Sequence, residues 1–204
     1  MSRHLIAIVS AGAINLAAPA ITLAAPTDAT EAGITSVILA PSFLSALESL
    51  GVKPGGVAPG RLFHRDGKTL AAFPITTGAI DLGALKGEID HSGGLTLRAG
   101  GTRVELTAFA IDIYPHAAPV LTGVVTVNGN FLRRLPLFDL SLAAASVSKH
   151  EDWLAIKNVD VTLDPDAAAA LSSVFHTSVP AGIGIGTAQV SAVLDDDDRD
   201  EGRE

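Results

Sequence analysis

The residues best suited to binding or chemistry lie in a glycine-rich segment near the middle of the chain. It runs from Gly87 through His91 to a pair of glycines, Gly93 and Gly94. His91 has the same parity as Ile89, so an unbroken strand would direct its imidazole toward the apolar face of a sheet. An inward histidine is either a packed core residue or part of a binding pocket, and the pattern alone leaves both interpretations open.

The rest of the chain predicts no catalytic or metal site. It contains no Gly-x-Ser-x-Gly motif and no cysteine, and none of its six histidines has the spacing of a local zinc site. The glycine-rich stretch 182–186 precedes a predicted strand and lacks a following lysine, which is typical of a turn. The aspartates at 139, 160, 164 and 166 could include a carboxylate pair, although Asp164 and Asp166 are already explained by a helix start. We therefore predict a protein that is not an enzyme.

Short alternating apolar runs, separated by turn residues, predict the elements that position His91. The first strand is predicted at 33–40, and others at 61–64, 70–76, 87–98, 102–113, 120–127, 135–142, 153–163 and 187–193. Asn128-Gly129 predicts a tight turn, and a change of apolar parity predicts a bulge near Thr107. The prolines and glycines of 52–60 indicate a loop. The predicted fold is all-β, an antiparallel β-sandwich or open barrel.

Two short helices complete this fold. Pro41 can occupy the first turn of one helix, which Gly51 would end in a left-handed conformation. Asp164 is the predicted N-cap of the other, in which Leu171 and Phe175 lie four residues apart and can face the sheet together.

Both ends of the chain are predicted to lie outside the folded domain. A basic start, an apolar run and small residues near Ala24 are typical of a cleaved signal peptide over 1–24, which predicts secretion. Residues 195–204 hold seven acidic and two basic residues, so they are predicted to form a disordered tail. One domain is therefore predicted at 25–194. The net charge of −8 argues against nucleic acid or an anionic lipid surface as a partner.

The order and spacing of these pieces resemble the HtaA-type haem-uptake domain, a secreted or surface-anchored β-sandwich of Gram-positive actinobacteria. That family has a Ser-Phe-x-x-Tyr helix, a Gly-x-x-x-Gly-His-x-Gly-like strand, and a later helix with a glycine turn before the last strand. The similar pieces here are 42–46, 87–93, 136–141, 161–167 and 180–190. The resemblance implies a haem-uptake type of binding module, with haem as its candidate cofactor.

One departure from the family pattern affects the site. In the family, a tyrosine on the first helix ligates the haem iron and a histidine on the sheet supports it, but Ala46 stands at the tyrosine's place here. Alanine has no lone pair for a metal, so only His91 is implied as a ligand or supporting residue. Phe43 and Leu47 would line the pocket beside it. The lone tyrosine, Tyr114, ends a different strand and is interpreted as an amphipathic strand-end residue.

Two functions remain open from the sequence. The chain is either a secreted, non-catalytic binding module with weak affinity for haem or another apolar small ligand, or a structural or adhesive protein of the cell envelope. A pocket lined by Phe43, Leu47 and His91 would favour the first function, and a filled core there would favour the second.

Overall fold

The computed structural model describes residues 28–81, 86–113 and 118–195, which form mainly antiparallel β-structure. The predicted signal peptide, Tyr114 and all but the first residue of the acidic tail lie outside this part. The elements are β1 (Asp28–Leu39), α1 (Pro41–Ser49), β2 (Lys53–Val57), β3 (Arg61–Arg65), β4 (Lys68–Asp81), β5 (Lys86–His91), β6 (Gly94–Ala99), β7 (Thr102–Asp112), β8 (Val120–Val127), β9 (Asn130–Ser141), β10 (Ser146–His150), β11 (Trp153–Leu163), α2 (Pro165–Phe175) and β12 (Gly184–Leu194).

The strands form one sheet that closes on itself. The order of hydrogen-bonded neighbours is β2-β6-β7-β5-β4-β1-β12-β11-β9-β8, and β8 also pairs with β7, so the ring from β7 round to β8 is a barrel. β2 and β6 extend the sheet beyond the first half of β7, whereas β3 and β10 pair at the outside with β4 and β11. The all-β prediction is confirmed.

Turn chemistry explains several of the strand connections. Asn128 and Gly129 both have positive φ, at 50° and 82°, as the tight hairpin between β8 and β9 requires. The predicted bulge is present, because the register of β7 against β8 shifts between Thr107 and Ala110, and Ala108 has a φ of 50°. At the start of α2, the Asp164 carboxylate accepts a hydrogen bond from the Asp166 backbone N–H at 2.7 Å, which confirms the predicted N-cap.

One loop prediction and one strand prediction were wrong. The segment expected to be a loop at 52–60 contains β2, which is an edge strand and therefore tolerates Pro54. The strand expected at 87–98 is divided into β5 and β6, since Gly93 has a φ of 81° and a side chain there would collide with the backbone of Gly60. β10, with every residue exposed, was not predicted because it lacks an apolar alternation.

The barrel interior is filled mainly by aliphatic side chains. Two buried aromatic side chains, Phe73 and Phe109, contact each other edge to face, with ring centroids 5.1 Å apart. Leu47 of α1 and Ala167 and Ala168 of α2 join this core. Both helices therefore pack against the sheet, and apolar side chains surround the space between the helices and the strands.

Candidate functional site

The first candidate site is an apolar cavity between the helices and the sheet, which we call the helical cavity. It has a volume of about 120 Å³. The helices contribute Phe43, Ala46 and Leu47 from α1 and Leu171 and Phe175 from α2. The strands contribute aliphatic side chains that include Leu39, Leu97, Leu106, Val125, Leu135 and Leu137. Only one wall residue, Thr177, carries a polar side chain, so this cavity selects for apolar contact.

A second cavity of about 80 Å³ lies within the barrel, and we call it the inner cavity. Its walls include Phe73, Phe109 and His91, and they are apolar apart from His91 and Thr35. Four side chains line both cavities, namely Leu39, Leu95, Phe138 and Ile185. The two cavities are therefore neighbours, separated by a single layer of side chains.

The three residues predicted to line one pocket are divided between these two cavities. Phe43 and Leu47 lie on the helical cavity, whereas His91 lies on the inner cavity. Because the cavities share part of their walls, all three residues belong to one connected region of the interior. Ala46, at the place of the family's tyrosine, lines the helical cavity and is exposed to solvent.

His91 is held as a buried, hydrogen-bonded side chain. It is only 6% exposed, and its Nε2 atom lies 2.7 Å from the hydroxyl oxygen of Thr35 on β1. Thr35 is itself buried, at an inward position of β1 between Val37 and Gly33. This hydrogen bond engages the Thr35 hydroxyl and one ring nitrogen of His91, whereas the buried Nδ1 atom meets no hydrogen-bond partner among the described residues.

Burial also keeps the imidazole of His91 neutral. Desolvation lowers the pKa of His91 from 6.5 to about 4, and the backbone of Phe109 and the charge of Asp90 oppose only part of this shift. At physiological pH the ring is therefore an uncharged side chain whose Nε2 is already engaged by Thr35. These properties describe a core histidine on a cavity wall.

The residues present do not fit the coordination of a haem iron. Ala46 supplies no donor atom, and His91 is directed to Thr35 inside the barrel. Pockets for drug-sized ligands typically measure about 300–1,000 Å³, which is larger than either cavity. In the part of the chain that the structure describes, no group of three or more metal-binding side chains comes together.

Two of the four aspartates that could include a carboxylate pair, Asp139 and Asp164, influence each other's charge. Burial raises the pKa of Asp139, and the neighbouring charge of Asp164 raises it further. Asp164 is engaged as the cap of α2, so this pair is accounted for by the helix start. Among the described residues, no helix is both long and apolar enough to cross a bilayer.

Solved structures share this architecture. The C-terminal domain of HtaA from Corynebacterium glutamicum matches with a TM-score of 0.60 at 14% identity, over 82% of this chain and 99% of that domain. The chain has the HtaA-type fold. The haem-binding protein HtaB from the same organism matches with a TM-score of 0.55 at 8% identity, over 83% of this chain and 96% of HtaB.

A third match to the HtaA-type fold is a domain-swapped dimer of a histidine-to-alanine variant of the HtaA C-terminal domain. Its TM-score is 0.52 at 15% identity, over 76% of this chain and 91% of that one. No protein-family model and no curated protein matches the chain. The likeness therefore establishes the fold alone.

Sequence reasoning missed one residue of the site for which a signal was present. Thr35 has the same parity as Val37 and Leu39 in the first predicted strand, which places a hydroxyl on the inward face. An inward polar residue requires a buried partner, and His91 is the inward polar residue of another strand. Thr35 and His91 meet because β4 lies between their strands, β1 and β5. This strand order cannot be predicted from the local sequence pattern.

Proposed function

We propose that this protein is a secreted, non-catalytic binding module that holds an apolar small molecule in the helical cavity of its HtaA-type fold. The observation that carries this proposal is the cavity wall itself, which has Phe43 and Leu47 at the helices and one polar side chain, Thr177. The haem-binding protein HtaB has the same fold, which supports a binding role for this architecture.

The size of the helical cavity limits what it can hold without rearrangement. An apolar cavity of about 150 Å³ in another protein stays dry and binds benzene, so a cavity of about 120 Å³ is of the size that takes a small apolar molecule. The wall atoms lack partners on the cavity side, and a ligand would restore those dispersion contacts. Phe43, Leu171 and Phe175 are only half-buried, so the helices can shift to admit a larger ligand.

Haem is expected to bind weakly at most. A haemin titration of the mature chain, followed in the Soret region, should lack the spectrum of tight tyrosinate-bound ferric haem, because Ala46 has no donor atom. Ala46→Tyr is the matched gain-of-function variant, since residue 46 is exposed on the cavity wall. We expect that variant to bind haemin more tightly. Tight binding by the unaltered chain would contradict this account of the site.

Filling the helical cavity is expected to abolish most apolar binding. Ala170 lines the cavity and is half-buried, so Ala170→Leu should place three extra carbon atoms in the space that the ligand needs. The affinity for the uncharged fluorescent probe N-phenylnaphthylamine should fall at least about tenfold, since each buried methylene contributes about 0.8 kcal/mol. Fluorescence titration measures this change.

The neighbouring residue provides the control. Ala169 is exposed on the same helix and does not line the cavity, so Ala169→Leu should leave the affinity unchanged. Equal affinities for both variants would show that the probe does not bind in the helical cavity, and binding of neither the probe nor benzene by the unaltered chain would show that this cavity is not a ligand site.

Secretion is part of the proposal and has its own check. Cleavage near Ala24 would leave a mature chain that starts just before β1. Intact-mass analysis of protein from culture supernatant should lack the first two dozen residues. A full-length mass in the cytosol would contradict export, and it would leave the cavity argument unaffected.

A structural or adhesive role in the cell envelope is the second candidate function. Two large side chains favour it, because Phe131 is 69% exposed near the β8–β9 turn and Trp153 is 54% exposed at the start of β11. Pull-down from envelope fractions that depends on Phe131 or Trp153, together with an absence of probe binding, would favour this role over the first.

A further inference from the structure

The two cavities adjoin one another within the apolar interior. The four side chains that they share, Leu39, Leu95, Phe138 and Ile185, are the only layer between them. Three of these side chains are aliphatic and one is a phenyl ring, and a ligand that passes this layer would have to move them to other rotamers. A ligand that enters the helical cavity can then continue into the inner cavity.

Each cavity has at least one exposed residue in its wall. At the helical end, Leu50 lines the cavity and is 39% exposed, and Ala46 and Pro180 are exposed beside it. At the other end, Val147 lines the inner cavity and is 46% exposed. The remaining walls are almost entirely apolar, and the two inner polar side chains, Thr35 and His91, are hydrogen-bonded to each other through the Nε2 atom of His91.

Two small adjoining apolar cavities suit a flexible chain better than a rigid ring. Each methylene group that enters contributes about 0.8 kcal/mol, so affinity accumulates with chain length until the space is full. A wide planar molecule cannot follow the connection between two cavities of about 120 Å³ and 80 Å³. Chain shape is therefore the property that this interior can select.

A cation lies at the helical end on the same face of the sheet as the cavity wall. Arg133 of β9 pairs with Val125, and Leu135 follows two residues later, so all three side chains leave the sheet on the same side. Val125 and Leu135 line the helical cavity, whereas Arg133 is exposed. Among the described residues, no hydrogen bond or ion pair engages its guanidinium group.

Resting on the apolar ligand-binding function proposed above, we propose that the ligand is an unbranched acyl chain with a carboxylate head, a molecule of the fatty-acid class. The chain lies in the helical cavity and extends past the shared layer into the inner cavity. The carboxylate remains at the surface, where Arg133 pairs with it through its forked donors.

Chain-length preference is the first test. Ala188 is 5% exposed and lines the inner cavity only, so Ala188→Leu should reduce the space inside the inner cavity. In displacement of N-phenylnaphthylamine by a ladder of saturated fatty acids, the preferred chain should become shorter by about two to four carbons, with short chains unaffected. Ala155→Leu adds the same volume on the face of β11 that points away from the barrel interior. This variant should leave the chain-length preference unchanged.

The second test concerns the head group. Arg133→Ala should weaken fatty-acid binding about two- to fivefold, the range of an exposed ion pair, without changing the affinity for the corresponding fatty alcohol. Arg98→Ala removes an exposed arginine from the outward face of β6 and serves as the control. If Ala188→Leu does not fold, Ala71→Val makes a smaller change to the same inner wall.

The outcomes separate this inference from the proposed function. A shortened preference in Ala188→Leu together with an Arg133-dependent carboxylate effect supports the acyl-chain ligand. Probe binding that haemin displaces and fatty acids do not, or a chain-length preference that Ala188→Leu and Ala71→Val leave unchanged, overturns it while the apolar binding function stands. Absence of binding by both the probe and benzene overturns both.

Discussion

Lowering the pH from 6.5 to about 4 is expected to reduce the free energy of unfolding by about 3 kcal/mol through His91 alone. The unfolded chain takes up a proton at this histidine near pH 6.5, whereas the folded chain resists protonation until about pH 4. The unfolded state therefore binds more protons across this window, and stability falls as the pH falls. Below about pH 4 both states are protonated at His91. The loss of stability is then complete, and stability no longer changes with pH through this group.

Urea denaturation at a series of pH values measures this dependence. Carboxylates also titrate at the acidic end of the window, so the effect of His91 is the difference between the unaltered chain and His91→Gln, which does not titrate and can still hydrogen-bond Thr35. The slope between pH 6.5 and about 4 should be shallower in that variant. His176→Gln, at an exposed helix C-cap, is the control. Equal slopes in all three proteins would show that His91 is not buried as described.

Truncating Phe109 is expected to cost about 3–5 kcal/mol of stability, the largest effect of any single substitution considered. Phe109 is 1% exposed, packs edge to face against Phe73 and lines the inner cavity. Phe109→Ala removes this aromatic contact and leaves a void that the barrel cannot fill. Thermal and urea denaturation measure the loss, and Phe63→Ala, on an exposed part of β3, should cost far less.

The same variant should bind longer or bulkier apolar ligands. Because the void joins the inner cavity, an apolar ligand should raise the melting temperature of Phe109→Ala more than that of the unaltered chain. A small loss of stability, or an unchanged response to ligand, would show that the inner cavity does not lie against Phe109.

Local features of this fold were predictable where one short stretch of sequence determines them. Asp164 and Pro165 begin α2 because a cap and a first-turn proline act within a few residues. Asn128 and Gly129 form the β8–β9 turn because they tolerate positive φ. The inward position of His91 followed from its parity with Ile89, even though the strand breaks just after it.

Features that depend on distant partners could not be read in this way. β2 forms because β6 offers it an edge, although the one proline and two glycines of β2 give no strand signal. The Thr35–His91 hydrogen bond joins residues 56 positions apart. The division of Phe43 and His91 between two adjoining cavities depends on how side chains pack, and residue types alone do not specify that packing.

The central claim, that an apolar ligand binds inside the helical end of the barrel, is tested most directly by methyl NMR of the mature chain titrated with benzene. Ring currents from bound benzene should shift the methyl signals of Leu47, Leu137 and Val174, which line the helical cavity. The signals of Leu132, which is 46% exposed and lines neither cavity, should stay in place. Shifts confined to exposed methyl groups, or no saturable shift at all, would contradict the account.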